Sequence, residues 1–419
     1  MNQHIHEARL VWDGGDTVYV PPKMGAPTPD QLTGTPGEQL CELACRVCYD
    51  SLGLGFNGKP KGRSTGATLA NVLDVQHHSV VEHFSQTIEI LLPTDELSGT
   101  YRIVPGLHWL RDVNRHVEAL IVLAFTGRPG AHIRLVGTPQ DDRFGPNKTA
   151  LRVTVNVRAV LEWERWSAAL LREQGLGEVA SVVRLWHYLG VKLARAMHPR
   201  VPLLVEKPAP VATGDSWLLA SPTRVVAPET DAERHVSIYM VGSRGFGNEL
   251  VRHRYNISQR STRYCDEAES PWHLHPLVGL YRQARPKDVE MAETIEAAID
   301  MSKSAYAKLV VRLKGWLMET LPPDTPYRAK HALKQARGAA RGLLGNALET
   351  QVVFTAPVWA WRHIIRMRAA EAADAEIRVI AAAALPELKR SRYADRFQDL
   401  ELEPAGDGMG ECLKGGGHA

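Results

Sequence analysis

Apolar positions recur at helical spacing through Leu40, Leu43, Ala44, Val47 and Cys48, directly after Thr35-Pro36-Gly37-Glu38. That lead has the spacing of a capping box with proline at the first helical position, so a helix is predicted from Thr35. A second helix is read from Thr68 to about Gln76, leading through His77–His83 into an alternating run, Phe84 to Leu92, that reads as a strand. Leu151 to Glu173 reads as a strand followed by a helix, and Glu178 to Met197 as a long amphipathic helix. Val236 to Val241 is apolar and reads as a buried strand that delivers a polar segment to a pocket. Val278 to Leu317 is mostly helical, and the prolines between Thr320 and Pro326 end it. Tyr327 to Leu344 reads as a basic, Ala-rich helix, and Val358 to about Leu385 as helical throughout, ending before Pro386.

The intervening stretches are irregular by composition. Residues 1–34 carry Gly and Pro; Ser51 to Gly66 is rich in Gly, Lys and Ser and reads as a mobile, substrate-facing loop. His108 to Leu123 is helix-like, Thr126 to Lys148 reads as a Gly/Pro-rich loop, and Val201 to about Pro228 as a Pro-rich linker. From Ala405 the chain is Gly-rich and expected to be disordered.

At 419 residues, 44% hydrophobic and 23% charged, the chain has the composition of a soluble globular protein. Its formal charge of +3 excludes a general nucleic-acid or membrane binder. No apolar run approaches the roughly 20 residues of a membrane span, and Met1 to Val20 lacks the apolar segment of a signal peptide, so a cytoplasmic location is expected. The five cysteines read as reduced thiols.

Charge is concentrated between Ser243 and Glu267. Arg252, His253, Arg254, Arg260 and Arg263 put five basic side chains into twelve residues, interleaved with Asn256, Ser258, Gln259, Ser261 and Thr262. A basic run is ordinarily a solvated face. Here its companions are hydroxyls and amides, and arginine gives paired, charge-assisted bonds to phosphate oxygens, so a nucleotide or other phosphate ester is the expected ligand.

Three other motifs carry less. His78, Glu82 and His83 lack the spacing of a zinc motif, so no metal is expected. The order of GKPKGRSTG is not that of a phosphate-binding P-loop. Cys41, Cys45 and Cys48 have the spacing of a radical SAM iron–sulfur motif, yet they fall along one stripe of a predicted helix, where cysteine is more simply a core residue.

The segment SR…ELVRHR…SQRSTRY resembles the signature of the flavin-dependent thymidylate synthases, with six residues between Arg254 and Ser261 where that family has seven. His77, Ser79, Glu82 and His83 match a further family element before its first long strand. Ala340-Arg341-Gly342-Leu343-Leu344 with Thr350, and Trp361 to Arg368 followed by Asp374 to Arg378, resemble its later elements. A T-x-N-x-R segment that the family carries near its end occurs early here, as Thr154, Asn156 and Arg158, whereas the later copy has Pro357 and Trp359 at those two places. Residues 93–234 are thus expected to be an insertion or a degenerate duplicate.

The resemblance implies an α+β fold, an antiparallel sheet flanked by helices, with an extra α/β insertion. It divides the chain into an N-terminal synthase part (1–92), the insertion (93–234), a C-terminal synthase part (235–400) and a flexible tail (401–419). It also implies conversion of dUMP to dTMP with methylene-tetrahydrofolate and NADPH as co-substrates and FAD as the hydride carrier. Arg252, Ser261 and Arg368 would be catalytic; Glu249, Arg254, Gln259, Arg260, Ser261, Arg263, Arg341 and Arg368 would hold the nucleotide. His77, Ser79, Glu82, Arg252, His253, Gln259, His363, Asn156 and Arg158 would line the flavin. A homotetramer is implied, or a dimer if the chain is internally duplicated. A catalytically altered paralogue acting on another pyrimidine nucleotide and a radical SAM enzyme are the alternatives.

Overall fold

The computed structural model describes residues 6–55, 57–92, 131–136, 149–172, 179–205 and 222–415. The helix expected at 108–123, most of the loop expected at 126–148 and residues 206–221 of the expected linker lie outside the described residues.

Thr35 begins α1 (Pro36–Tyr49) as the spacing predicts. Its hydroxyl accepts the Glu38 amide at 3.4 Å, and the Glu38 carboxylate accepts the Thr35 amide at 2.9 Å. In chain order the helices continue as α2 (Thr65–Asp74), α3 (Val157–Leu170), α4 (Val179–Met197) and α5 (Arg244–Leu250). Then come α6 (Pro276–Ala284), α7 (Val289–Thr320), α8 (Arg328–Ala340), α9 (Val358–Arg368) and α10 (Ala375–Arg390).

Two four-stranded antiparallel sheets carry the site. One runs β3-β4-β2-β5, from β2 (Ser85–Leu92), β3 (Ala131–Val136), β4 (Thr149–Asn156) and β5 (Thr223–Val226). The other runs β1-β6-β8-β7, from β1 (Glu7–Trp12), β6 (His235–Ser243), β7 (Asn256–Gln259) and β8 (Glu349–Pro357). Antiparallel sheets flanked by helices make the architecture α+β, as expected.

The sheets repeat one plan. Ser85 opens β2 opposite Asn156, the last residue of β4; His235 opens β6 opposite Pro357, the last residue of β8. Each of these later strands passes directly into a helix, and the first helical amide donates back across the pair, Val157 to the Phe84 carbonyl at 3.2 Å and Val358 to that of Arg234 at 2.8 Å. Buried hydroxyls meet at matching register, Thr87 with Thr154 at 2.9 Å and Ser237 with Thr355 at 2.6 Å. The outer strands are exchanged: β1, from the start of the chain, completes the second sheet, and β5, which directly precedes β6, completes the first.

Every residue of β6 is buried, because the second sheet is covered on both faces. Val236, Ile238 and Met240 pack with Trp361, Ile364, Ile377 and Ile380 of α9 and α10; Tyr239 and Val241 belong with Leu40, Leu43 and Val47 of α1 in the other core. No described helix is long and apolar enough to cross a membrane.

Four readings are corrected. Helix 358–385 is two helices: Ala369 closes α9, Asp374 caps α10 by accepting the Glu376 amide at 3.0 Å, and Pro386 sits inside α10. The 278–317 helix breaks at Arg285, and Asp288 restarts it by accepting the Met291 amide at 3.1 Å. The Gly-rich end forms a hairpin of β9 (Leu402–Pro404) and β10 (Glu411–Leu413), with Cys412 and Leu413 buried. The 51–66 loop is fastened rather than loose, since the buried Arg46 guanidinium donates to the carbonyls of Ser51 at 2.6 Å and Arg63 at 2.7 Å.

Arg152 ties the two units together. It is 1% exposed and donates to Glu89 at 2.7 Å and to Glu233 at 2.9 Å, both buried. Arg152→Met removes the buried cation between two buried carboxylates, leaving Glu89 to Arg224 at 2.8 Å and Glu233 to the Glu229 amide at 2.7 Å, and is expected to cost about 3 kcal/mol. Urea denaturation measures it; a midpoint within error of wild type would contradict the assignment.

Candidate functional site

Where the two sheets meet, His83 is fully buried and bridges them. Its Nδ1 is 2.8 Å from Thr355 Oγ1 of β8, and its Nε2 is 2.9 Å from Ser258 Oγ of β7. Two further bonds cross the junction beside it. The Ser261 amide donates to the Cys48 carbonyl at 3.0 Å, and the Asn256 side chain to the Glu82 carbonyl at 2.8 Å.

A cavity of about 740 Å³ opens at this seam. The N-terminal part supplies Cys48, Tyr49, Asn71, Gln76, His77 and Ser79; the C-terminal part supplies Arg244, Ser258 to Tyr264, Lys334 and Arg341. Arg244, Arg260, Arg263, Lys334 and Arg341 bring five cations to a wall on which no carboxylate stands. Arg260 is partly compensated by Glu267 at 3.6 Å and Asp50 at 3.8 Å, behind the wall. Burial, with the Arg341 charge added, holds the Arg244 pKa below its usual value despite Glu267. Cations drawn together without a counter-charge stabilise a bound anion.

Aromatic rings lie among these cations. Tyr49 and Tyr264 meet edge to face with centroids 4.7 Å apart, and Lys334 lies 4.8 Å from the Tyr264 ring centre. Tyr49 Oη and His77 Nδ1 are 3.0 Å apart. Burial, then the charges of His78 and Lys334, lower the His77 pKa, so its ring is neutral at neutral pH.

Seven of the expected residues line this cavity: His77, Ser79, Gln259, Arg260, Ser261, Arg263 and Arg341. Others gather elsewhere. Arg368, at the end of α9, donates to His253 at 2.9 Å and to Glu249 at 2.9 Å, with the exposed His363 close enough to lower the His253 pKa further. Burial first, then Arg368, takes that pKa to about 4. Arg252 and Arg254 are exposed on the same turn, and Arg254 has φ of 57°, the left-handed conformation that redirects the chain into β7. In a third group Arg158 pairs with Glu82, and with Glu162 at 2.6 Å. Asn156 caps α3, its side-chain oxygen accepting the Ala159 amide at 2.8 Å, while its Nδ2 is buried without a partner.

The radical SAM alternative fails on geometry. Cys41, Cys45 and Cys48 are buried along α1, and burial raises all three thiols, Cys45 and Cys48 to about 12. Helical packing holds them in the core as thiols, unable to converge as thiolates. Among the described residues no cluster of His, Cys, Asp and Glu is suited to a metal ion.

Residues 233–391 match the family model for the thymidylate synthase complementing protein. That span begins at the strand that leads to the cavity and ends beyond Arg368. This segment, less than half of the chain, is similar to the flavin-dependent thymidylate synthases, and the chain spans under two thirds of the length of the curated relatives it matches. The enzyme of that name from Mycobacterium sp. (strain KMS) is 43% identical over 175 residues, covering 41% of this chain and 65% of that protein's length. Its counterpart from Mycobacterium avium (strain 104) is 40% identical over 175 residues, covering 41% of this chain and 64% of its own length. A solved structure of Thymidylate Synthase X from Helicobacter pylori, with FAD and dUMP, is 20% identical and overlaps 40% of this chain and 73% of that one, with a TM-score of 0.25.

Sequence reasoning missed Arg244, Lys334, Tyr49 and Tyr264 as parts of the wall. Arg244 was visible as the arginine of the opening Ser-Arg pair, and Lys334 lies seven residues before Arg341, two helical turns along one face. Tyr264 was visible as the tyrosine that closes SQRSTRY, and Tyr49 as the one that follows Cys48.

His83 gives the junction a pH dependence. Unfolded it titrates near 6.5, and burial lowers it to about 3. As pH falls through that window the unfolded chain binds a proton that the folded chain refuses, so stability present above 6.5 is lost towards 3. Calorimetry across that range is expected to show a steeper fall in melting temperature for wild type than for His83→Gln; parallel curves would reject the role.

Proposed function

We propose that the chain is a flavin-dependent thymidylate synthase that transfers a one-carbon unit from methylene-tetrahydrofolate to C5 of dUMP, using FAD and NADPH to give dTMP. The carboxylate-free wall of Arg244, Arg263, Lys334 and Arg341 around Ser261 and Gln259 carries this reading. It fits a nucleotide monophosphate: arginine forks for the phosphate, and amide and hydroxyl groups for a pyrimidine edge. The name shared by the curated relatives supports the rest.

The residues facing the nucleotide wall fit a flavin. His77 and Ser79 offer polar edges and Tyr49 an aromatic face on the cavity. Off the cavity wall, Asn156 Nδ2 and His78 Nε2 are buried polar atoms without a partner, and Arg158 pairs with Glu82. When bound, the flavin supplies the redox chemistry that C5 alkylation needs.

The protein's own residues bind and polarise. Arg263 and Arg341 neutralise the phosphate and draw electron density from the uracil carbonyls, Ser261 orients the base, and Tyr49 with Tyr264 excludes water. Cys48 reaches the cavity with its thiol pushed up to about 12, and Cys265 is raised to about 11, so neither is a nucleophile at neutral pH.

The described strands and helix from β2 to α3 read as part of a second copy of the unit rather than an unrelated insertion; the shared register, hydroxyl pairs and helix amides of the two sheets support this. One copy keeps Asn156 and Arg158, the other keeps the Arg-His-Arg turn, Arg341 and Arg368. Arg252, Arg254, His363 and Arg368 do not line the cavity of their own chain, and a second chain's cavity would be completed by them. Two such chains would equal a tetramer of single units. A catalytically altered paralogue is the second reading, favoured by Pro357 and Trp359 and by Arg252 and Arg368 lying off the cavity wall.

Purified protein is expected to be yellow and to form dTMP from dUMP, methylene-tetrahydrofolate and NADPH. A yellow protein without turnover supports the paralogue, and a colourless one that takes up no FAD rejects the flavin reading. Arg263→Ala and Arg341→Ala are each expected to weaken dUMP by about 2–5 kcal/mol in calorimetric titration. Arg368→Ala is expected to lose dUMP binding at unchanged melting temperature; wild-type affinity in that variant removes the second chain from the site.

A further inference from the structure

We infer that a second cavity binds an effector with an anionic group on a flat, apolar body. It measures about 830 Å³ and lies between α6, α7, α10 and the turn that joins β9 to β10. Leu274, Leu280, Ile299, Val379 and Met409 give it apolar walls. No carboxylate lines it. Arg282 and Lys303 do, both half-buried, and neither has an ion-pair or hydrogen-bond partner among the described residues. The indole Nε1 of Trp272, also on the wall, is a buried donor with no acceptor. Two uncompensated cations beside an apolar box match an aromatic carboxylate, sulfonate or phosphate ester, whose head pairs with the cations while its body displaces water.

The position couples this cavity to the nucleotide wall. Trp272 bridges to Leu348, and the Leu348 carbonyl accepts the Arg244 amide at 2.9 Å, so one segment of chain backs both cavities. On the other side His6 lies 3.1 Å from Glu376, which accepts from the Ser243 amide at 2.7 Å and hydroxyl at 2.5 Å. Ser243 in turn caps α5, which leads to Arg252 and His253. A ligand that pulls Trp272 or His6 therefore shifts the groups that present Arg244 and the Arg-His-Arg turn.

The test uses the full chain, with anilinonaphthalene sulfonate as the anionic probe and uncharged phenylnaphthylamine as its control. With FAD and saturating dUMP present, one saturable sulfonate site per chain is expected, weakened about tenfold or more in Arg282→Ala/Lys303→Ala. The exposed α7 variant Val311→Ser/Trp316→Ser is expected to bind as wild type does. Unchanged binding in the first double variant, loss in the second, or equal competition by the neutral probe overturns the proposal. Coupling rests on the thymidylate reading: the probe is expected to shift the dUMP KM of wild type and not of Arg282→Ala/Lys303→Ala. The binding arm needs no turnover and can be repeated without FAD or dUMP, so failure of the synthase reading leaves it standing or falling separately.

Discussion

Pairing of β1 with β6 holds the molecule in the form that makes its site. Strand β1 leaves the N-terminal part of the chain to lie against the central strand of the other sheet, from Glu7 opposite Val241 onward, and β5 returns the exchange against β2. With both outer strands crossed over, neither sheet is complete without the other part of the chain. Within one core α1 therefore covers a face of both sheets, packing with Ile88 and Val153 of the first and Tyr239 and Val241 of the second. Backbone pairing gives this exchange its direction; burial of β6 on both faces gives it most of its stability.

At that seam the balance between apolar burial and charge is resolved locally. Burial keeps His83 neutral, and its ring nitrogens are matched by two hydroxyls, one on each of β7 and β8. Further out the same seam gathers cations and leaves them facing a cavity with no acid of its own. Like charges at such density are destabilising unless an anion arrives, which is the electrostatic form of preorganisation. Structural ion pairs elsewhere, Arg46 with Glu42 and Arg152 with Glu89 and Glu233, are closed and buried, so arginine has two distinct uses in this chain.

Much of this was legible from residue order. The α1 start, the β2 alternation, the strand-to-helix step at Asn156 and the polar run after β6 are local patterns, and each appears where the spacing placed it. The break between α9 and α10 was not legible, because Ala and Ile continue a helical pattern through it; Leu413 donates to the Ala369 carbonyl at 2.7 Å, a long-range bond that no local periodicity announces. The Gly-rich end failed for a related reason, since Arg378 and its pair with Asp407 order a segment whose composition alone suggests disorder.

Sequence by itself determined which residue types would line a cationic cavity, because arginine, serine and glutamine in a tight run after a buried strand have few other uses. It also determined the helix starts, which depend on caps within a few residues. Only tertiary structure decided that Arg341 joins that run while Arg368 turns to Glu249 and His253, and that one half of the chain supplies the wall facing the other. Those outcomes depend on strand exchange between distant segments, and the energy of such pairing resides in contacts that linear spacing does not encode.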